Sequence, residues 1–446
     1  MKKSICILLI ITMFSAILVS CGNAGNQAPS SISPSESSTP APEQDVTELH
    51  WIAPGVGEKS WEGLIVPVLE RYYEQTGVKI VSEHYAFNDL IELIEVKIGS
   101  GSTDYDILSV DAPLVSAYAK RGYLLPLDEF YSTDELNKYT DASVDAGSWD
   151  GKFYSPPFAN SSQVLWYNTD LLAQAGVTIP ENDENNRLTY EEIAQLSKDV
   201  LAVLDPNGTN GIFGFDFQQV GRTYQMNPLA NSLGGLNISA DGMSLKGVLD
   251  SEPWIKALTW YQTQINDKVS TRGISADELP NYFYSGKLVF MIGATYIGES
   301  AEANDMTTYD YTYLPAFEGH KDKVASATGS WNFGINAATT KAAASAEFVK
   351  FITQGEGNDM WLDIRGEMPA RKDKLQAIID NPDSPRYLKI GAYEAINTAY
   401  PRALTPAYNE YSTIIDNLWA DVRNGADINE VVNSSISQFE SAAAKY

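Results

Sequence analysis

Three histidines, His50, His84 and His320, are scattered through the chain without cysteine neighbours, so a transition-metal site is not expected. No glycine-flanked serine elbow, Gly-Lys-Ser/Thr phosphate loop or His-Glu-x-x-His occurs, which removes the commonest hydrolase and nucleotide signatures. One stretch has metal-ligand spacing: Asp205, Asn207, Thr209 and Asp216 fall at the first, third, fifth and twelfth places of a calcium loop. The sixth place, where the sharp turn needs glycine, is Asn210, so a plain turn is expected. What the sequence does offer is rings. Phe, Trp and Tyr make up 11% of the residues, with 25 tyrosines. Aromatic faces stack on the apolar faces of sugars while Asp, Asn and Arg satisfy the hydroxyls, so the composition suits a carbohydrate cleft. Most of the rings are still expected in the core.

The elements that would position such residues begin after an export signal. Lys2 and Lys3 precede an apolar run from Ile5 to Val19 that is too short for a stable span and reads as a secretory signal over residues 1–20. It closes on Leu18-Val19-Ser20-Cys21, which resembles the lipobox at which bacterial lipoproteins are cleaved and lipidated on cysteine. Residues 21–45, rich in Ser, Pro, Ala, Gly and Asn, read as a flexible tether. Loss of Cys6 with the signal leaves no disulfide for the exported domain. It also removes two lysines and no acids, so 29 basic residues face 58 acidic ones, a net charge of −29. That surface repels nucleic acid and anionic lipid.

From Val46 the pattern alternates. Leu49–Ala53 is β-prone; Trp61, Leu64, Ile65, Val68, Leu69 and Tyr72 share a helical face, with Pro67 implying a kink or a late start and Gly77 the end. Strands at 78–81 and 105–110 flank a helix at 89–98, which predicts an α/β fold with a parallel sheet covered on both faces. Ligands of such sheets sit at the carboxyl ends of strands, which singles out Pro54, Gly55 and Asp111. Asp111 is equally suited to cap the helix over 112–121. Further on, Thr189 and Glu192 form a capping-box pattern, and Trp254, Ala257, Leu258, Tyr261 and Ile265 make a core-facing stripe.

Several spaced motifs together carry a resemblance. Gly151-Lys-Phe-Tyr154, Pro156-Pro157, Tyr167-Asn-Thr-Asp-Leu-Leu172 and Ala175-Gly176 resemble the first inter-lobe crossing of the family 1 extracellular solute-binding proteins, the receptors of sugar ABC importers. Phe283-Tyr-Ser-Gly-Lys287 with the apolar strand to Gly293, Thr328-Gly-Ser-Trp331 with its following strand and Ala/Phe helix, and Arg365-Gly-Glu367-Met-Pro369 continue it in order. The resemblance implies a two-lobe periplasmic-binding-protein-like fold of type II. Its lobe one would span 46–157 and 317–367, and lobe two 158–316 and 368–446. Three hinge crossings would lie near Phe158–Asn160, Pro315–Phe317 and Met368–Ala370, open when empty and closed when filled. Helices would run from about Lys372 to Tyr446.

The resemblance also implies a ligand set beyond Pro54, Gly55 and Asp111: Asn160, Tyr224, Asn227, Trp331, Arg365 and Tyr296, the last just past the strand Leu288–Ile292. Implied partners are a small-molecule sugar, the permease subunits of an ABC importer and the membrane through a lipid on Cys21. No nucleic acid, cofactor, metal or catalytic residue is implied, and a monomer is expected. Two other readings stay open at this point: a secreted carbohydrate-active enzyme, since 58 acidic residues always contain some suitable pair, and a receptor for a non-sugar solute.

Overall fold

A computed structural model describes residues 46–329 and 331–446. The expected signal, Cys21 and the tether lie outside the described residues. Two four-stranded sheets organise the chain. The first has the order Trp331–Ile335, Ile107–Asp111, Glu48–Pro54, Lys79–Tyr85; its last three strands are parallel, and Trp331–Ile335 runs antiparallel against Ile107–Asp111. The second has the order Phe213–Phe217, Leu288–Ala294, Gln163–Asn168, Tyr309–Thr312, with Gln163–Asn168 antiparallel to both neighbours. Both sheets are therefore mixed, where the sequence predicts a parallel sheet for the first lobe. The antiparallel members Trp331–Ile335 and Gln163–Asn168 are strands that follow a crossing. They enter their sheet from the other lobe and escape the helical crossover that forces parallel pairing.

Local chemistry explains most element ends. The Pro67 conflict resolves as a late start: a four-residue turn Trp61–Leu64 is followed by a helix Val66–Thr76 with proline in its first turn, where no N–H is needed. Gly77 ends it at φ 72°, a left-handed position that disfavours a Cβ. Thr189 and Glu192 form the reciprocal capping box of the helix Tyr190–Leu204. Asp205 makes the plain turn: its carboxylate accepts the N–H groups of Thr209 at 2.7 Å, Asn210 at 3.0 Å and Ile212 at 3.2 Å. Asp216 points instead to Thr271, so the two carboxylates do not converge on a cation.

Each sheet has its own aromatic core. In the first lobe Trp61 packs on Trp361 at 4.7 Å and on Phe158 at 5.0 Å, and Trp51 on Phe333 at 5.1 Å between ring centroids. In the second, Trp254, Tyr261 and Trp419 cluster beside Phe215 and Phe217. Arg187 and Glu394, both buried, join at 2.6 and 3.2 Å, and Glu394 also accepts from the Leu314 N–H at 2.9 Å and the Thr398 hydroxyl at 2.7 Å. This clamp ties the helix Arg386–Asn397 to the end of the strand Tyr309–Thr312.

The chain passes between the lobes three times, and Asn160 sits where the passages meet. Its N–H donates to the Met368 carbonyl at 2.7 Å and its side-chain oxygen accepts from the Thr328 hydroxyl, joining the first crossing to the third and the second. Two boundaries differ from the sequence reading. Phe158 belongs to the first lobe's core, and residues 317–327 belong to the second lobe. Ala316 exchanges backbone hydrogen bonds with Leu188 and Tyr190, and the Phe317 ring lies between Tyr190 and Trp260. Ser326 and Thr328 are then held by the carbonyls of Thr398 and Tyr400. The second crossing therefore follows Ala327 rather than lying at 315–317, because an aromatic anchor keeps the chain on the second lobe for another dozen residues. Between the helices Arg386–Asn397 and Tyr408–Arg423 the chain forms the short strand Ala399–Tyr400 and then passes Pro401 and Pro406 without helix.

Candidate functional site

Between the two sheets lie two cavities of about 760 and 500 Å³ that share Gln219, Tyr224 and Tyr296 and so form one trough. The first lobe contributes Phe87, Ile91 and Asp111 to the larger one. Asp111 is the last residue of the strand Ile107–Asp111, at the carboxyl end where such sheets bind ligands. Its carboxylate does not cap the next helix; it accepts from the Arg402 guanidinium at 2.7 Å. Asn160 and Arg365 line the smaller cavity, where the Arg365 guanidinium reaches Glu367 at 3.4 Å. Burial pushes the Glu367 carboxyl above the ordinary range, against the opposing pull of Trp361 and Arg365.

The two tyrosines stand differently. The Tyr224 hydroxyl donates to Ser161 at 2.6 Å, and the Arg402 guanidinium lies 5.5 Å from its ring centre. Burial raises its pKa more than Ser161 and Arg402 lower it, so it stays a neutral donor. Tyr296 is 53% exposed, at the N-cap of the helix Ile297–Ala303, with its hydroxyl held by the Gln218 amide. Gln218 is fixed in turn by the Ala294 N–H at 2.8 Å, so an exposed ring is aimed by a buried side chain. An exposed, oriented ring beside charged and amide groups can stack on a flat apolar face and offer hydrogen bonds at its edge.

The other expected residues lie elsewhere. Asn227 is a core residue: its amide donates to Tyr411 at 2.9 Å and Asn237 at 3.2 Å and accepts from Trp419 at 3.1 Å, which leaves no free group for a ligand. Trp331 lines neither cavity and packs beside Phe87 and Trp61 at 5.7 and 6.4 Å. Pro54 ends the first strand and Gly55 follows it at φ 76°, where a Cβ would approach the Ser60 hydroxyl to 2.5 Å. They too line neither cavity. Sequence reasoning missed Arg402, Gln218, Gln219 and Arg222. The signal for Arg402 was Pro401, which breaks the run read as helix. Among the described residues no cluster of His, Cys, Asp or Glu can hold a metal ion, and no helix is long and apolar enough to cross a membrane.

A two-lobe α/β molecule with a polar, ring-lined trough between its sheets is built to enclose a solute. Residues 68–385 match the family described as bacterial extracellular solute-binding protein, and the chain belongs to that family. Its members bind solutes and are not enzymes. The chain is 25% identical to the galactooligosaccharide-binding protein of Bacillus subtilis (strain 168) over 78% of each chain. It is 24% identical to a maltooligosaccharide ABC transporter solute-binding lipoprotein of Streptococcus pneumoniae (strain ATCC BAA-255 / R6), over 83% of this chain and 81% of that one. The match to a putative binding protein of Brucella abortus (strain 2308), at 22% identity, spans 54% of this chain but only 57% of that relative. Among solved structures, a cyclo/maltodextrin-binding protein complexed with maltotetraose superposes with a TM-score of 0.75 at 18% identity, covering 90% of this chain and 98% of the other. That likeness establishes the two-lobe fold.

Proposed function

We propose that this chain is the sugar-capturing subunit of an ABC importer, exported and held at the outer face of the cell membrane by a lipid on Cys21. Two lobes close around a saccharide or sugar alcohol and present it to the permease, with the protein acting as a monomer. The observation that carries the reading is the exposed, anchored ring of Tyr296 in a trough that also presents the polar groups of Asp111, Asn160, Tyr224 and Arg365. Closure lets contacts from both lobes form together, so the ligand's binding energy shifts an equilibrium between open and closed forms. The relatives named above as oligosaccharide binders support the sugar class.

The test is a thermal-shift panel of sugars from mono- to oligosaccharides. A ligand at a hundred times its dissociation constant stabilises by about 2.7 kcal/mol, so the cognate sugar should raise the melting temperature clearly. A flat response to every sugar, with a rise for an amino acid, peptide or polyamine, overturns the sugar assignment. Incubation with the same oligosaccharides should return them intact; product would make the chain an enzyme.

A further inference from the structure

The trough is crossed by one ion pair. Asp111, at the end of the first lobe's strand Ile107–Asp111, meets Arg402, on the segment after the helix Arg386–Asn397, at 2.7 Å. Both side chains are largely shielded, at 16% and 17% exposure, so water screens the pair weakly. Other ion pairs between the halves, Arg371 and Lys374 with Asp359 and Lys372 with Asp141, lie just past the third crossing, where hinge motion is small. Arg402 is also the hub of its surroundings. Its guanidinium lies 5.5 and 5.9 Å from the ring centres of Tyr224 and Tyr408, and Gly329 of the second crossing leaves room for it, since a Cβ there would come within 2.8 Å. Its Nε is buried with no hydrogen-bond partner. Burial alone would lower its pKa, but Asp111 and the two tyrosines more than offset this and keep it charged.

We propose that the Asp111–Arg402 pair is a latch that holds the two lobes together in the empty protein and makes the trough selective for uncharged ligands. The selectivity part rests on the sugar-receptor reading; the latch does not. Opening the lobes separates two shielded charges, which opposes opening. The same pairing leaves no free cation at this point for an acidic ligand. Asp277 and Asp416 beside Arg222, and Glu299 and Glu367 beside Arg365, keep the rest of the trough net negative. An uncharged sugar can occupy the trough without breaking the pair; a uronate would confront Asp111.

Small-angle scattering of the sugar-free protein tests the latch. Asp111→Asn is nearly isosteric, and with Arg402→Gln it should favour the open form by about tenfold, seen as a larger radius of gyration, with the double variant adding little to either single one. Equal radii for wild type and all variants, with melting curves showing each folded, overturn the latch. For selectivity the probe is digalacturonate in a thermal-shift assay: no shift is expected in wild type, and a positive shift in Asp111→Asn, where Arg402 becomes an unneutralised cation. A shift in wild type, or none in Asp111→Asn, overturns it. The scattering arm contains no sugar, so its failure is independent of the failure of the sugar panel.

Discussion

Tyr296→Ala is the perturbation that most directly interrogates the trough. An aromatic side chain covers about 150–250 Å² when fully enclosed. Tyr296 is 53% exposed, so a bound ligand can remove roughly half of that, about 80–130 Å², from water. At about 25 cal/mol per Å² this amounts to about 2–3 kcal/mol, or about 30- to 150-fold in affinity. The fold should hardly notice, because the ring's main fixed partner is the Gln218 amide and it contributes no core packing. Tyr296→Phe removes only that hydroxyl contact and should cost less. Titration calorimetry with the sugar found in the panel, beside a melting curve of each ligand-free variant, separates the outcomes. Unchanged affinity in Tyr296→Ala, or a collapse of the ligand-free melting temperature, refutes the argument from exposure.

Other expectations follow from the same geometry. Arg187→Leu should cost about 3–5 kcal/mol in denaturant unfolding, because it strands the fully buried Glu394; a loss below about 1 kcal/mol would show that water reaches the clamp. Glu135 is raised by burial but lowered more strongly by Lys350 and Ser132, which hold its carboxyl at about 2 against an ordinary 4.5. Its contribution is present above about pH 4.5 and lost as pH falls through about 2, so the melting-temperature gap between wild type and Glu135→Gln should shrink on acidification; a constant gap contradicts this. Cys21→Ser should leave the protein unlipidated and move it from the membrane fraction to the medium; equal retention would remove the anchor from the proposal.

Where a single periodicity decided the outcome, the sequence was legible. The faces of the helices Val66–Thr76, Tyr190–Leu204 and Glu252–Asn266 follow from apolar spacing plus caps, and Pro67 announced its own resolution. Order of motifs also revealed two lobes with three passages. What stayed hidden depends on contacts between distant segments. Nothing local distinguishes Asn227, which fills a core socket made by Tyr411 and Trp419, from an asparagine that faces a ligand. The strand-end rule located Asp111, but its partner Arg402 comes from 291 residues further along. Phe317 was placed in a crossing by the family resemblance, and only the Tyr190 and Trp260 rings reveal that it is an anchor.

That anchor has a practical consequence for turning such a receptor into an optical sensor. Lys321 and Asp322 are exposed in a turn and look like a natural place to insert a reporter domain. Because residues 317–327 ride with the second lobe, a reporter there would tumble rigidly with one half and register nothing when the halves move. A reporter pair with one dye on that turn and the other on exposed Val96, which belongs to the first lobe's helix Phe87–Lys97, straddles the moving joint and would convert its rotation into a change of energy transfer.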